Sequence, residues 1–161
     1  MKREFVLLKR DQRGAVFVEH MIAYLPVMFF FLATWQLMEL CAAHLILKRA
    51  ASAAARAAVV VLPDDPAFYD GVPKDSFSGK RKEDIELAAE LVLATSPHFS
   101  SDVTVEVPSN LKGGAPLTAT VKAKFYCFAG WVSLVCGPTG VRELSAKATY
   151  AYQGAAYSYE I

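Results

Sequence analysis

The sequence is poor in the residues from which catalytic and metal sites are built. It has three histidines and three cysteines in 161 residues, and no histidine stands at metal-ligand spacing from a cysteine or carboxylate. It also lacks a glycine-rich phosphate loop and the Gly-x-Ser-x-Gly turn that carries a nucleophilic serine. We therefore expect a protein that is not an enzyme and that holds no metal and no cofactor.

Excess charge is lacking as well, because 17 basic and 16 acidic residues leave a formal net charge of +1. A nearly neutral chain has little electrostatic attraction for nucleic acid, so no nucleic-acid partner is expected. A short basic cluster at residues 80–82 is followed directly by two acidic residues. This arrangement predicts the solvated start of a helix.

Charge is absent altogether from one long segment near the N-terminus. Residues 21–38 carry no formal charge, and Glu19 and Glu39 flank them 20 residues apart. On a helix this spacing is about 30 Å, close to the thickness of a bilayer core. The pattern predicts a membrane-spanning helix with a carboxylate near each edge and a kink at Pro26. Five basic residues before the segment and three after it favour a cytoplasmic N-terminus and a translocated C-terminal part.

The helix is predicted to continue beyond the membrane. Residues 40–61 are rich in alanine and contain no glycine or proline, and Pro63 and Pro66 follow them. A helix over residues 15–61 would be about 70 Å long, so its second half would form a stalk or pack against other helices. A cleaved signal peptide is the alternative, although the apolar segment is longer than an ordinary signal core.

The C-terminal part changes period. Residues 81–96 have helical spacing, and a loop is predicted over residues 63–80. Apolar and polar residues then alternate in three segments, residues 102–107, 117–127 and 144–152, which is typical of half-buried antiparallel strands. With a turn over residues 110–116, this predicts a small α+β domain of one short helix on a sheet of three or four antiparallel strands.

Two of the cysteines, Cys127 and Cys136, are separated by eight intervening residues within this domain. In an oxidising compartment we expect them to pair, and closing such a loop would stabilise the fold by about 2–3 kcal/mol in the chain-entropy model. Two buried free thiols are the alternative. Cys41 is predicted to be a packing residue of the helix, with an intermolecular bridge as the other option.

The stretch Arg10 to Met21, "RDQRGAVFVEHM", carries a resemblance to a known family. It is similar to the processing site of type IV pilins, in which a basic leader ends in glycine and the mature apolar helix has glutamate at its fifth position. Residues 10–61 further resemble the N-terminal region of TadE-like proteins, the pseudopilin components of tight-adherence pilus systems. The matching residues are Gly14, Ala15, Val18, Glu19, Leu25, Pro26, Glu39, Ala55, Arg56 and Ala57. The chain departs from the family pattern at His20, usually phenylalanine, and lacks the usual Gly-Arg after the second glutamate.

This resemblance implies three segments: a basic leader at residues 1–14, a transmembrane and extended pilin-like helix at residues 15–61, and an extracytoplasmic α+β domain at residues 62–161. It implies a minor pilin of a tight-adherence (Tad/Flp) type IV pilus that is inserted in the bacterial inner membrane. A prepilin peptidase would cut it after Gly14, and it would serve in pilus assembly or priming. Its partners would be membrane lipid, other pilin-like subunits and the pilus assembly platform.

The resemblance also offers a role for the charged residues of the helix. The new amino group of Ala15 would pair with Glu19 of a neighbouring subunit and so set the axial register. Glu19 at headgroup depth is the simpler alternative. Gln36 and Glu39 share a helix face and are expected to contact a partner helix at the outer membrane edge, or to mark a polar edge only. For the whole chain the alternative function is an uncleaved single-pass envelope scaffold of a secretion system.

Overall fold

The computed structural model describes residues 13–108, 115–127 and 139–154. In chain order the elements are helix α1 (Arg13–Val61), a 3₁₀ turn (Pro66–Phe68), helix α2 (Gly79–Leu93) and strands β1 (Phe99–Glu106), β2 (Pro116–Tyr126) and β3 (Val141–Ala151). The strands form an antiparallel sheet in the order β1-β2-β3. The expected α+β class is therefore confirmed: a long apolar helix, a short helix and a small antiparallel sheet.

The chain divides into two compact units between Met38 and Glu39, within α1. In the first unit most large apolar side chains are exposed; the exposed fraction is 67% for Leu25 and 75% for Phe30. The helix Val16–Val61 is long and apolar enough to cross a membrane by length and composition. α1 continues through Pro26, which has no N–H to donate to the carbonyl one turn earlier.

In the second unit the alanine-rich part of α1 packs into the core. The buried positions recur every three or four residues, as expected for one helix face; they are Ala43, Leu47, Ala50, Ala51, Ala54, Ala55 and Ala58. All of these except Ala43 join one hydrophobic cluster with residues of α2 and of the sheet. Small side chains let the α1 backbone approach closely, so this face, predicted to be a stalk or a surface for other helices, is covered within the chain itself.

The predicted segment boundaries can be compared with the ends of the helices and with the division into compact units. The boundary between residues 61 and 62 coincides with the end of α1, whereas the second compact unit begins at Glu39. The basic leader, residues 1–14, lies outside the described residues except for its last two.

The sheet confirms the alternation that the sequence predicted. Along β2 the side chains at every second position are buried, from Leu117 to Phe125. Val105 of β1 and Ala146 of β3 are buried on the same side. On the other face the Lys122 Nζ lies 2.6 Å from Glu106 Oε1, and the Lys124 Nζ lies 2.8 Å from Asp102 Oδ2. The hydrogen bond from Lys124 lowers the pKa of the Asp102 carboxyl.

α2 ends at Leu93 rather than at residue 96 because Pro97 follows. After Leu93 the backbone N–H groups bond to carbonyls three residues earlier: Thr95 donates to Val92, and Ser96 donates to Leu93. A proline disfavours helical geometry at the residue before it, so the helix ends before Pro97. The predicted turn over residues 110–116 lies mostly outside the described residues.

The basic cluster at residues 80–82 contains a buried member, contrary to the prediction that it is solvated. Arg81 is 0% exposed. Its guanidinium donates to the carbonyls of Val61, Leu62, Asp64 and Val72. The first three of these carbonyls lie at or just after the end of α1, where the last carbonyls lack the usual donors within the helix and the helix dipole favours a cation. Arg81 therefore caps α1 from α2.

Tyr152, the residue directly after β3, bonds to the loop that follows α1. We expect the substitution Tyr152→Phe to lower the free energy of unfolding by about 1 kcal/mol at neutral pH. Its ring is 1% exposed, and its hydroxyl donates to Asp75 Oδ1. Burial first, and then the bond to Asp75, raise the pKa of this phenol above its usual value of 10.0. The neutral form is thus favoured in the fold. The neutral Tyr152 phenol therefore contributes fully to the free energy of unfolding below about pH 10, and this contribution is lost as the pH rises above 10.

Thermal unfolding of the full chain in detergent, followed by near-ultraviolet circular dichroism, measures this effect. Tyr126→Phe is the matched control, because Tyr126 is exposed and should change stability little. Equal effects of the two substitutions would contradict the assigned hydrogen bond. Tyr152→Phe should also reduce the loss of stability at alkaline pH.

Candidate processing and assembly site

The predicted cleavage step, Gly14 to Ala15, lies in the described helix α1, Arg13–Val61, near its N-terminal end as described. Gly14 is exposed, and nothing lies within 4 Å of the position where a Cβ would stand. Glycine destabilises a helix by about 1 kcal/mol relative to alanine. Gly14 therefore weakens the helix locally and places no side chain beside the predicted cleavage step.

Glu19 lies one turn after this step. Residues four apart share a helix face, so Ala15 and Glu19 stand on the same side of α1. Glu19 is exposed among exposed apolar side chains, including Phe17 and Val18. The helix thus brings the cleavage step and the carboxylate close together on a surface that is otherwise apolar.

His20, the departure from the family pattern, keeps an aromatic contact. Its ring stacks on Tyr24, with centroids 6.1 Å apart and planes inclined by 15°. In residues 13–108, 115–127 and 139–154, no group of three or more His, Cys, Asp or Glu side chains is placed to hold a metal ion. His20 is exposed, and its ring contact is with Tyr24 one turn further along the helix.

Gln36 and Glu39, the other residues predicted to act in assembly, differ in exposure. Gln36 is only 9% exposed, Glu39 is half-buried, and both side chains have interactions in the chain. Their role toward a partner helix stays a prediction.

The cysteines fall in two environments. Cys41 is an exposed free thiol in a groove between α1 and the start of β3. Cys127, directly after β2, is disulfide-bonded. Cys136, its predicted partner, lies outside the described residues.

Arg56, part of the Ala-Arg-Ala sequence that resembles the family, attaches α1 to β3. Its Nε donates to the Tyr150 hydroxyl at 3.0 Å, and its guanidinium carbon lies 5.5 Å from the centroid of that ring. Ser52 Oγ lies 2.8 Å from the same hydroxyl. The bonds from Ser52 and Arg56 lower the pKa of Tyr150. The motif thus has a structural role in holding the helix on the sheet.

Arg81 is the residue that sequence reasoning missed. A signal was present, because Arg81, Ile85 and Ala89 follow one another at four-residue intervals on the face that is buried. A cation on an apolar stripe indicates a buried partner, and here the partners are backbone carbonyls.

The fold defines a class: an α+β chain with a long N-terminal apolar helix, a short helix and a small antiparallel sheet. Comparison of the chain with protein-family models, with curated proteins and with solved structures found no match. The functional argument therefore rests on the residues and their geometry.

Proposed function

We propose that this chain is a pseudopilin, a minor pilin-like subunit of a tight-adherence pilus machine, and that it acts in pilus assembly or priming. One observation carries the proposal. The Gly14–Ala15 step and Glu19 lie about one turn apart on a helix whose large apolar side chains are mostly exposed up to Met38. An enzyme is not needed to explain this arrangement, whereas a membrane subunit that is trimmed and then assembled uses each part of it.

The exposed helix supports insertion in a membrane. Removing a Val, Leu, Ile, Phe or Met side chain from water is worth about 1.5–3 kcal/mol, and α1 exposes many of them between Val16 and Met38. Lipid or the helices of partner subunits would cover this surface. The basic residues before it favour a cytoplasmic N-terminus, so the proposed location is the bacterial inner membrane with a single span.

In this proposal, cleavage creates the group with which the Glu19 carboxylate pairs. A prepilin peptidase that cuts after Gly14 removes the basic leader and creates an α-amino group on Ala15. In a low-dielectric environment an unpaired Glu19 carboxylate is costly, and a neighbouring subunit's amino group relieves that cost. The pair forms only when two helices are aligned along their axes, so it selects one register for assembly.

Replacing Gly14 by leucine is expected to leave the chain uncut. The glycine turn opens easily and presents no side chain at the cleavage step, and leucine both strengthens the helix and adds bulk there. Intact mass after co-expression with a prepilin peptidase measures the result: the wild-type chain should lose residues 1–14, and the variant should keep them.

Val16→Leu is the matched control, since it changes the same helical turn on the other side of the bond and should still be cut. Cleavage of Gly14→Leu at the wild-type rate would contradict the processing site. An uncut wild-type chain would favour the other candidate, an uncleaved single-pass envelope scaffold.

A further inference from the structure

Among the residues that the structure describes, nothing pairs with the outer edge of β3. In the sheet β1-β2-β3, no strand of the described residues pairs with the far side of β3, which is 11 residues long. The opposite edge is treated differently, because Glu86 of α2 reaches β1 and accepts from the Val105 N–H at 3.5 Å. Long open edges are sites where a further strand can add.

Two hydrogen bonds identify which backbone groups of β3 point outward. The Cys127 N–H donates to the Gly140 carbonyl at 2.9 Å, and the Tyr152 N–H donates to the Ala115 carbonyl at 3.1 Å. Both pairs continue the β2–β3 register. Bonding alternates along an antiparallel strand, so the even-numbered residues of β3 bond to β2. The N–H and C=O groups of residues 141, 143, 145, 147 and 149 therefore face away from β2.

We propose that β3 pairs antiparallel with β3 of a second copy of this chain, about a two-fold axis at Ser145. With the axis there, each bonded pair uses only backbone groups that face outward. Ser145 meets Ser145 of the second copy, Glu143 meets its Lys147, and Val141 meets its Thr149. The two-fold repeats the Glu143–Lys147 pair, so the edge offers two cross-strand ion pairs on the polar face.

The charges select this register over its neighbours. An axis at Glu143 or at Lys147 places like charges directly opposite each other, which destabilises a strand pair. An axis at Leu144 or at Ala146 leaves Glu143 opposite Ser145 or Thr149 of the second copy, without an ion pair. Only the axis at Ser145 combines outward backbone groups with opposed charges.

The apolar side of the same edge is open as well. A groove between α1 and the start of β3 is lined in part by Leu40, Leu45 and Leu144, and Leu45 is 63% exposed. In the proposed pairing, Leu144 of one copy lies opposite Ala146 of the other on this side of the sheet. The second copy would thus add apolar cover along the edge where the backbone groups pair.

Cysteine cross-linking of the full chain in detergent micelles tests the pairing, with Cys41→Ser as background in every variant. Bonded antiparallel partners have Cα atoms about 5.5 Å apart, within the range for a disulfide. Ser145→Cys should therefore form a linked dimer on mild oxidation. Thr149→Cys is the control on the same strand and face, and it leaves both ion pairs in place: its two copies would lie about 27 Å apart and should link far less.

Charge reversal provides the second measurement, made by analytical ultracentrifugation. Glu143→Lys and Lys147→Glu each oppose like charges twice and should raise the dimer dissociation constant about tenfold. The double variant restores opposite charges and should return the constant to the wild-type value. A chain that stays monomeric, equal linking at residues 145 and 149, or a double variant as weak as the singles would overturn the proposal.

Discussion

Replacing Arg81 by methionine should lower the free energy of unfolding of the second compact unit by about 3–4 kcal/mol. Methionine fills a similar volume but donates no hydrogen bond. The carbonyls of Leu62, Asp64 and Val72, which Arg81 bonds at 3.0–3.3 Å, would lose a charged donor. The guanidinium also stacks 4.3 Å over the Tyr69 ring, and this contact is lost as well. Chemical unfolding in detergent, followed by near-ultraviolet circular dichroism, measures the change.

Two further variants separate charge from geometry at this position. Arg81→Lys keeps the cation but not the planar fork, so it should cost less than methionine yet more than 1 kcal/mol. Lys82→Met is the control in the same turn; Lys82 lies 3.7 Å from Glu86 and is largely exposed, so its loss should change stability by less than about 0.5 kcal/mol. If Arg81→Met were as stable as Lys82→Met, the cap on α1 would be wrong.

Replacing Glu19 by glutamine should abolish assembly while leaving cleavage and insertion intact. An amide costs less than a carboxylate in lipid, so the single subunit is not impaired. It cannot form an ion pair with the amino group of Ala15, however, and the selection of axial register is lost. We expect co-purification with pilin-like partners from native membranes to fall at least about tenfold, the equivalent of 1.4 kcal/mol.

Glu19→Asp is the informative comparison, because it keeps the charge on a shorter side chain and should retain part of the assembly. Equal assembly of Glu19→Gln and the wild-type chain would mean that Glu19 only sits at headgroup depth. Impaired cleavage in Glu19→Gln would instead place the residue in recognition by the peptidase.

The secondary structure could be predicted from the sequence where one local pattern decides it. The alternation along residues 117–127 reflects a strand with one buried face, and the structure confirms it as β2. The alanine-rich segment up to Val61 lacks helix breakers, and α1 includes all of it. Period and propensity act over a few residues, so a single sequence contains them.

What buries a given face depends on partners distant in the chain, and this the sequence did not reveal. Arg81 is buried because carbonyls about 20 residues earlier meet it at the end of α1. Ser52 and Arg56 contact Tyr150 nearly 100 residues later, and this contact helps explain why the alanine-rich face is covered by the sheet. No periodicity within a single segment encodes such contacts.

The residues of the candidate site differ in the same respect: some follow from a local pattern, and others depend on contacts distant in the chain. Gly14, Ala15 and Glu19 could be proposed from the sequence because the family resemblance that points to them rests on a short local pattern. The exposure of Gln36 could not, since it depends on packing. The open edge of β3 required the alternation of bonds with β2, which follows from the strand register and not from the composition of the strand.

The most direct test of the account is the N-terminal sequence and intact mass of the chain isolated from its native membranes. We predict a mature chain that begins at Ala15 and lacks residues 1–14. A chain that begins at Met1 would contradict the pairing of the Ala15 amino group with Glu19, and with it the proposed pseudopilin role.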